Sequence, residues 1–144
     1  MKKVLTAITL LWMGVIFMLS NTPSTESNSL SKGVLKTVFG EVIYVFNMEV
    51  DTDELVVKLN TPIRKVAHFT EYMVLGILMF FTLRFYGVKS QYIAAILCVL
   101  YASSDEFHQL FVDGRTGRVL DVIIDSCGSS SGILLCSIVH KLFY

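Results

Sequence analysis

Three short polar stretches, RKVAHFTEY at 64–72, SSDEFHQ at 103–109 and RTGRVLDVIID at 115–125, interrupt apolar runs that are otherwise fit for lipid. A helix crossing the roughly 30 Å hydrocarbon core needs about 20 mainly apolar residues and satisfies its backbone groups internally. Ionisable side chains at the margin or interior of such a span are costly, and by default they mark a site. Composition agrees with a membrane setting: the chain is 53% hydrophobic and only 17% charged, above and below the usual shares of soluble domains. Its formal net charge of +0 offers no basic field, which argues against nucleic acid as a partner.

Lys2 and Lys3 precede an apolar run from Val4 to Leu19. The run is longer than a signal-peptide core, carries Trp12 in its middle and lacks an A-x-A site after it, so a retained first span over about 4–20 is expected. Pro23 closes it. Within the outer loop, about 21–61, Leu30, Val34, Leu35, Val38, Phe39, Val42, Ile43 and Phe46 recur at helical spacing with Lys32, Lys36 and Glu41 between them. That pattern predicts an amphipathic helix lying on the bilayer surface or capping the bundle. Asp51 to Glu54 should break it, with one more short helix over 53–59. Thr61 followed by Pro62 reads as an N-cap and first helical residue, which starts a second span over about 62–84. A third is expected over 91–111 and a fourth over 119–143. The cysteines, Cys98, Cys127 and Cys136, fall in these runs at no metal-ligand spacing and read as small packing residues.

The whole chain thus reads as one all-α domain, an integral membrane four-helix bundle with an amphipathic helix between its first and second spans. Lys2, Lys3, Arg84, Lys89 and Lys141 fall on one side of this topology, which makes that side cytoplasmic and places both termini there. The three polar stretches and the amphipathic helix then face outward. Arg64, Lys65, Arg115 and Arg118 run against the charge rule there, which implies another reason for keeping them.

Helical phase brings these stretches together. Arg64, His68, Glu71 and Leu75 share one face, as do Tyr101, Asp105 and His108, while Arg118, Asp121, Asp125, Gly128 and Gly132 form a third stripe. The last continues into a small-xxx-small contact pattern, so its carboxylates should face the interior. At 1.5 Å per residue, Glu71, Asp105 and Asp125 reach roughly 9–13 Å from the outer ends of their helices. The expectation is a funnel with arginines at the mouth, His68 and His108 below, and the three carboxylates at the floor. Tyr72, Glu106 and Gln109 lie beside these residues in the same stretches and belong to the candidate ligand-binding set.

Polar contacts between membrane helices contribute only about 0.6–2 kcal/mol, whereas a central charge costs about 2.5–3.5 kcal/mol to insert. A purely structural interhelical network is therefore the weaker account of so many charges. Guanidinium groups suit phosphate or carboxylate, and at this depth the natural ligand is an anion carried on a lipid. Two alternatives share the same residues. Carboxylate and imidazole at i, i+3, as in His68/Glu71 and Asp105/His108, together with Asp125, could ligate a divalent metal. A histidine beside a carboxylate could also serve as a general base, with His68, Glu71, Asp105 and His108 as catalytic candidates and Thr70, Ser103 and Ser104 as nearby hydroxyls. The pattern names no cofactor. His140 stands apart beside Lys141 and is expected to mark the inner interface.

On R-K-x-x-H-F-x-E-Y at Arg64 to Tyr72, S-D-E-x-H-Q-x-F at Ser104 to Phe111, and R-x-G-R-x-x-D-x-x-x-D-x-x-G at Arg115 to Gly128, the chain resembles the VanZ-like family of small bacterial membrane proteins. Phe17 to Ser20 followed by Pro23 is similar to the end of that family's first span. The resemblance covers the chain from Arg64 onward and places no pattern on residues 24–60. It implies a multi-span plasma-membrane protein linked to the cell envelope and to teicoplanin susceptibility or resistance, with membrane lipids and a lipid-linked cell-wall precursor as the expected partners. It assigns no catalytic residue.

Overall fold

In the computed structural model, which describes residues 1–46 and 51–143, helix α3 (Thr52–Phe85) runs through the middle of the molecule. Around it stand α1 (Lys2–Ser20), α2 (Ser24–Phe46), α4 (Gln91–Gln109) and α5 (Val119–Phe143), with no strand among the described residues. Each of the four packs on α3, most extensively α5. The all-α expectation is met.

The start of α3 differs from the reading of Thr61–Pro62 as a helix beginning. One continuous helix replaces the separate short helix and second span, and Pro62 lies inside it. The start is instead set at Asp51, whose side chain accepts from the backbone N–H of Asp53 at 2.9 Å and of Glu54 at 3.4 Å, which satisfies two of the donors that every helix N-terminus leaves open. Glu54 and Lys58 then pair one turn apart at 2.6 Å, a spacing that supports a helix at its surface. The proline removes one ladder bond without ending a helix secured on both sides.

The distribution of side chains is that of a protein whose outside is apolar. Leu11 is 70% exposed, Tyr92 73% and Leu142 73%, while Asp105 and Asp125 are 2% and 1% exposed. Continuous exposed apolar surface of this kind marks a membrane or an interaction face. Helices α1, α3 and α5 are long and apolar enough to cross a membrane by length and composition. In α4 the polar last third interrupts the apolar run, but Asp105, Glu106 and Gln109 are buried there and Phe107 is turned outward.

Helices α3 and α5 meet backbone to backbone. A Cβ added at Gly128 would collide with the carbonyl of Phe69, one at Gly132 with that of Met73, and one at Gly76 with that of Ser129. This is the close approach expected of small residues spaced along membrane helices. Cys98 and Cys136 are buried nearby as packing residues, whereas Cys127 is exposed and does not fill the core.

Two ends can be distinguished. At one, the Lys2 ammonium lies 5.8 Å from the Tyr86 ring centre, Thr6 meets Tyr86 at 3.2 Å, and His140 Nε2 lies 3.0 Å from an Arg84 nitrogen. His140 therefore contacts α3 instead of standing alone. The three polar stretches collect at the other end. There α2 begins earlier than expected, at Ser24, and packs on α3 through Leu35, while Leu30, Val34 and Val38 stay 63%, 64% and 52% exposed. The rest of the expected apolar face, Val42, Ile43 and Phe46, has side chains outside the described residues.

Candidate functional site

Two cavities open at the polar end. The first, about 270 Å³, is walled by Arg64, Lys65 and His68 of α3, Glu106 and Gln109 of α4, Arg115, Thr116 and Arg118 of the connecting loop, and Asp121 and Asp125 of α5. Thr61, Gly114 and Ile124 complete it. The second, about 370 Å³, lies between α2 and α3 and shares Arg64, His68 and Arg115 with the first. Its other walls are mainly apolar, and Glu71 lines it.

The loop holds its shape through the helix ends around it. Gly114 takes a positive φ of 70°, which L side chains seldom adopt. A Cβ at Gly117 would collide with the carbonyl of Glu106, so the loop passes directly over the end of α4. Glu106 fixes the loop in turn by accepting the backbone N–H of Arg118 at 2.9 Å.

Arg115 has a different position from the one its sequence suggests. Its Nε donates to the Thr22 carbonyl at 2.9 Å and one Nη to the Leu19 carbonyl at 2.8 Å. Leu19 belongs to the last turn of α1 and Thr22 follows it, so Arg115 acts as a C-terminal cap on that helix. Burial, and then the Arg64 guanidinium, pull Arg115 below the usual arginine value. Arg64 itself donates to the Asn28 side chain at 2.8 Å, and Asn28 also accepts from Asn60 at 3.1 Å. Ser31 donates to Asn60 at 2.9 Å, so a polar seam from α2 holds this arginine. The sequence reading of 24–60 is an amphipathic helix on the bilayer surface or capping the bundle and includes no site residue; the spacing of Asn60 to Arg64, one helical turn, is the signal for this seam.

Among the described residues, none of Arg64, Arg115 and Arg118 is ion-paired with a carboxylate. Lys65 does pair, with Asp121 at 3.3 Å. His68 Nδ1 stands 3.7 Å from Glu71 Oε2, too long for a hydrogen bond. Beneath the cavities, Ser20 donates to Asp105 at 2.7 Å, and Gln109 donates to both Asp105 at 3.2 Å and Glu106 at 3.0 Å. Asp105 thus tethers α1 to α4 and lines neither cavity. Tyr72 is fully buried against Tyr101, 6.1 Å between ring centres, and also lines neither. Both Asp125 oxygens and the Tyr72 hydroxyl make no hydrogen bond among the described residues.

His108 leaves the predicted funnel. Its ring lies on Phe17, 4.5 Å between centres, and its Nε2 meets Asn21 at 3.1 Å. On α4 it follows Asp105 by three residues, a net offset of about 60° around the helix; both side chains reach the end of α1, Asp105 at Ser20 and His108 at Phe17 and Asn21, and neither lines either cavity. The metal alternative on His68, Glu71, Asp105, His108 and Asp125 loses its arrangement for that reason, and among the described residues no three His, Cys, Asp or Glu side chains are grouped to hold a metal. The candidate hydroxyls are also committed elsewhere: Thr70, Ser103 and Ser104 donate to Val66, Val99 and Tyr101 carbonyls of their own helices. Of the catalytic candidates, His68 and Glu71 remain together at a cavity wall.

The first cavity is thus lined by the cations Arg64, Lys65, Arg115 and Arg118 and by the carboxylates Glu106, Asp121 and Asp125. Comparison with known proteins gives one family: the family model described as VanZ/LLP1 matches residues 5–140. No curated protein and no solved structure matches the chain.

Proposed function

The chain belongs to the VanZ/LLP1 family, and from that premise we propose that it is a bacterial plasma-membrane protein whose outward-facing polar cavity binds the anionic group of a lipid-linked envelope component. The family as a whole is associated with teicoplanin resistance, and this reading supplies a physical route to such an effect: capture or alteration of an envelope lipid. The observation that carries it is that Arg64, Arg115 and Arg118 line one cavity and, among the described residues, none of them is ion-paired with the carboxylates Glu106, Asp121 and Asp125 that line it too. Arg64 keeps one edge of its guanidinium beyond its bond to Asn28, and a planar fork of this kind matches phosphate or carboxylate. Arg115, with two donors committed to α1, contributes mainly charge.

In this proposal α4 also crosses the membrane, as the third of four spans, because Asp105, Glu106 and Gln109 turn inward and most of its outward residues are apolar. Both termini lie in the cytoplasm, and the end bearing the cavities faces out. Labelling of single cysteines placed at 87 and 113 in whole cells tests the orientation: only the second should react with an impermeant reagent.

The decisive test is Arg118→Ala. Arg118 is exposed at the cavity mouth, so its loss should remove any teicoplanin tolerance conferred by the protein while membrane abundance stays normal. A second reading has its own support: Ser20, Asp105, Gln109 and Arg115 form a network joining α1, α4 and the loop. If that network is the whole purpose of the polar cluster, as in a non-catalytic membrane module, tolerance will fall only in step with protein abundance.

A further inference from the structure

We infer that the cavity between α2 and α3 holds the hydrocarbon chain of the same anionic lipid, which enters sideways from the bilayer with its head group against Arg64. This rests on the proposed function and goes beyond it by naming the ligand class: a single amphiphile, a lipid phosphate, that occupies both cavities at once.

The two cavities are joined, not separate. Arg64, His68 and Arg115 belong to the walls of both, so a molecule in one touches the boundary of the other. Their linings differ in kind. The first is dominated by charged and amide side chains, whereas the second is built on Leu30, Val34 and Leu35 of α2 and Ile63 and Ala67 of α3. The first, at about 270 Å³, falls just short of the roughly 300–1,000 Å³ of ordinary ligand sites, whereas the second, at about 370 Å³, and the two together fall within it.

Charge and exposure select the occupant. Arg64 and Arg115 both stand at the shared wall, where one anionic group can meet two guanidinium groups. From the same wall an apolar track leads outward, because Leu30 and Val34 are also 63% and 64% exposed and Val38 continues their row. An anion attached to a hydrocarbon chain satisfies both halves; an inorganic ion fills only the first, and a plain alkane only the second. The seam of Asn28, Ser31 and Asn60 that fastens α2 to α3 also fixes Arg64, which keeps the two halves in register.

The test uses the full chain in nanodiscs of phosphatidylcholine, with dioleoyl phosphatidic acid, dihexanoyl phosphatidic acid and inorganic phosphate as probes. The expected result is binding of the dioleoyl form at least about tenfold tighter than the dihexanoyl form, since each buried methylene adds to affinity. Val34→Trp, at a position exposed enough to accept the ring, should erase that chain-length preference and leave dihexanoyl binding within about twofold. Arg64→Gln should weaken both lipids. Equal affinity for the two chain lengths in the unaltered protein, with inorganic phosphate binding as well, would overturn the chain site and leave the head-group reading intact. Failure of all three probes to bind would overturn both.

Discussion

Gly14→Ala and Gly128→Ala add the same methyl group to the middle of a helix, and the packing of α3 on α5 assigns them opposite effects. Alanine is favoured over glycine in a helix interior by about 1 kcal/mol. At Gly14 the added carbon meets nothing within 4 Å, so up to about 1 kcal/mol of stabilisation should appear. At Gly128 it would strike the carbonyl of Phe69. That obstacle is backbone within a helix and cannot rotate aside, and opening the contact also disturbs Gly132 on Met73 and Gly76 on Ser129. Forcing a methyl into a packed contact costs about 1–3 kcal/mol. The difference between the two variants should therefore be about 1–3 kcal/mol, whatever the glycine propensity in a membrane, because that common part cancels. The assay is unfolding by sodium dodecyl sulfate in mixed micelles, followed by the fluorescence of Trp12, the one tryptophan in the chain, whose indole N–H bonds the Glu71 carbonyl at 3.0 Å. Coincident midpoints for the two variants would refute the backbone contact between α3 and α5.

Two further outcomes follow from the polar network. Ser20→Ala removes the 2.7 Å bond to Asp105 and should cost about 1–3 kcal/mol in the same titration, the penalty for a buried acceptor that loses a donor. Arg115→Ala takes away both caps on α1 and should cost at least about 2 kcal/mol, with membrane abundance falling accordingly; Arg115→Lys, which can reach one carbonyl, should recover part of it.

The sequence carried the apolar runs, the helical phase of the charged stripes and the contact role of Gly128 and Gly132, because these depend only on local periodicity. Of the residues that periodicity and antiparallel neighbours bring to one depth, Arg64, His68, Arg118 and Asp125 line one cavity, Glu71 lines the other, and Asp105 and His108 line neither. What escaped was decided by contacts remote in the chain. His108 has the spacing of a site residue, and only the position of Phe17 and Asn21 shows that it packs on α1. Arg115 has the look of a ligand residue, and only the end of α1 shows it to be a cap. Local rules favour Pro62 as a helix beginning, whereas the cap that starts α3 is Asp51, eleven residues upstream. Asn28, Ser31 and Asn60 are ordinary loop-type residues in sequence, and their joint hold on Arg64 required the fold.

The bonds that fasten α1 impose an order on biogenesis. Among the described residues the helices that α1 packs on are α3 and α4, and its hydrogen bonds to distant side chains and carbonyls include those with Glu71, Thr82, Asp105 and Arg115, at separations of 59, 73, 85 and 96 residues. At about 5–20 residues per second of synthesis, the first span waits in the bilayer for seconds before any of these partners exists. During that interval Thr9 and Ser20 bond only within their own helix or to what surrounds it. The last clasp, Arg115 over the end of α1, is translated after α4, and the Asp121 and Asp125 wall of the cavity only with α5, so the cavity mouth is completed late in assembly.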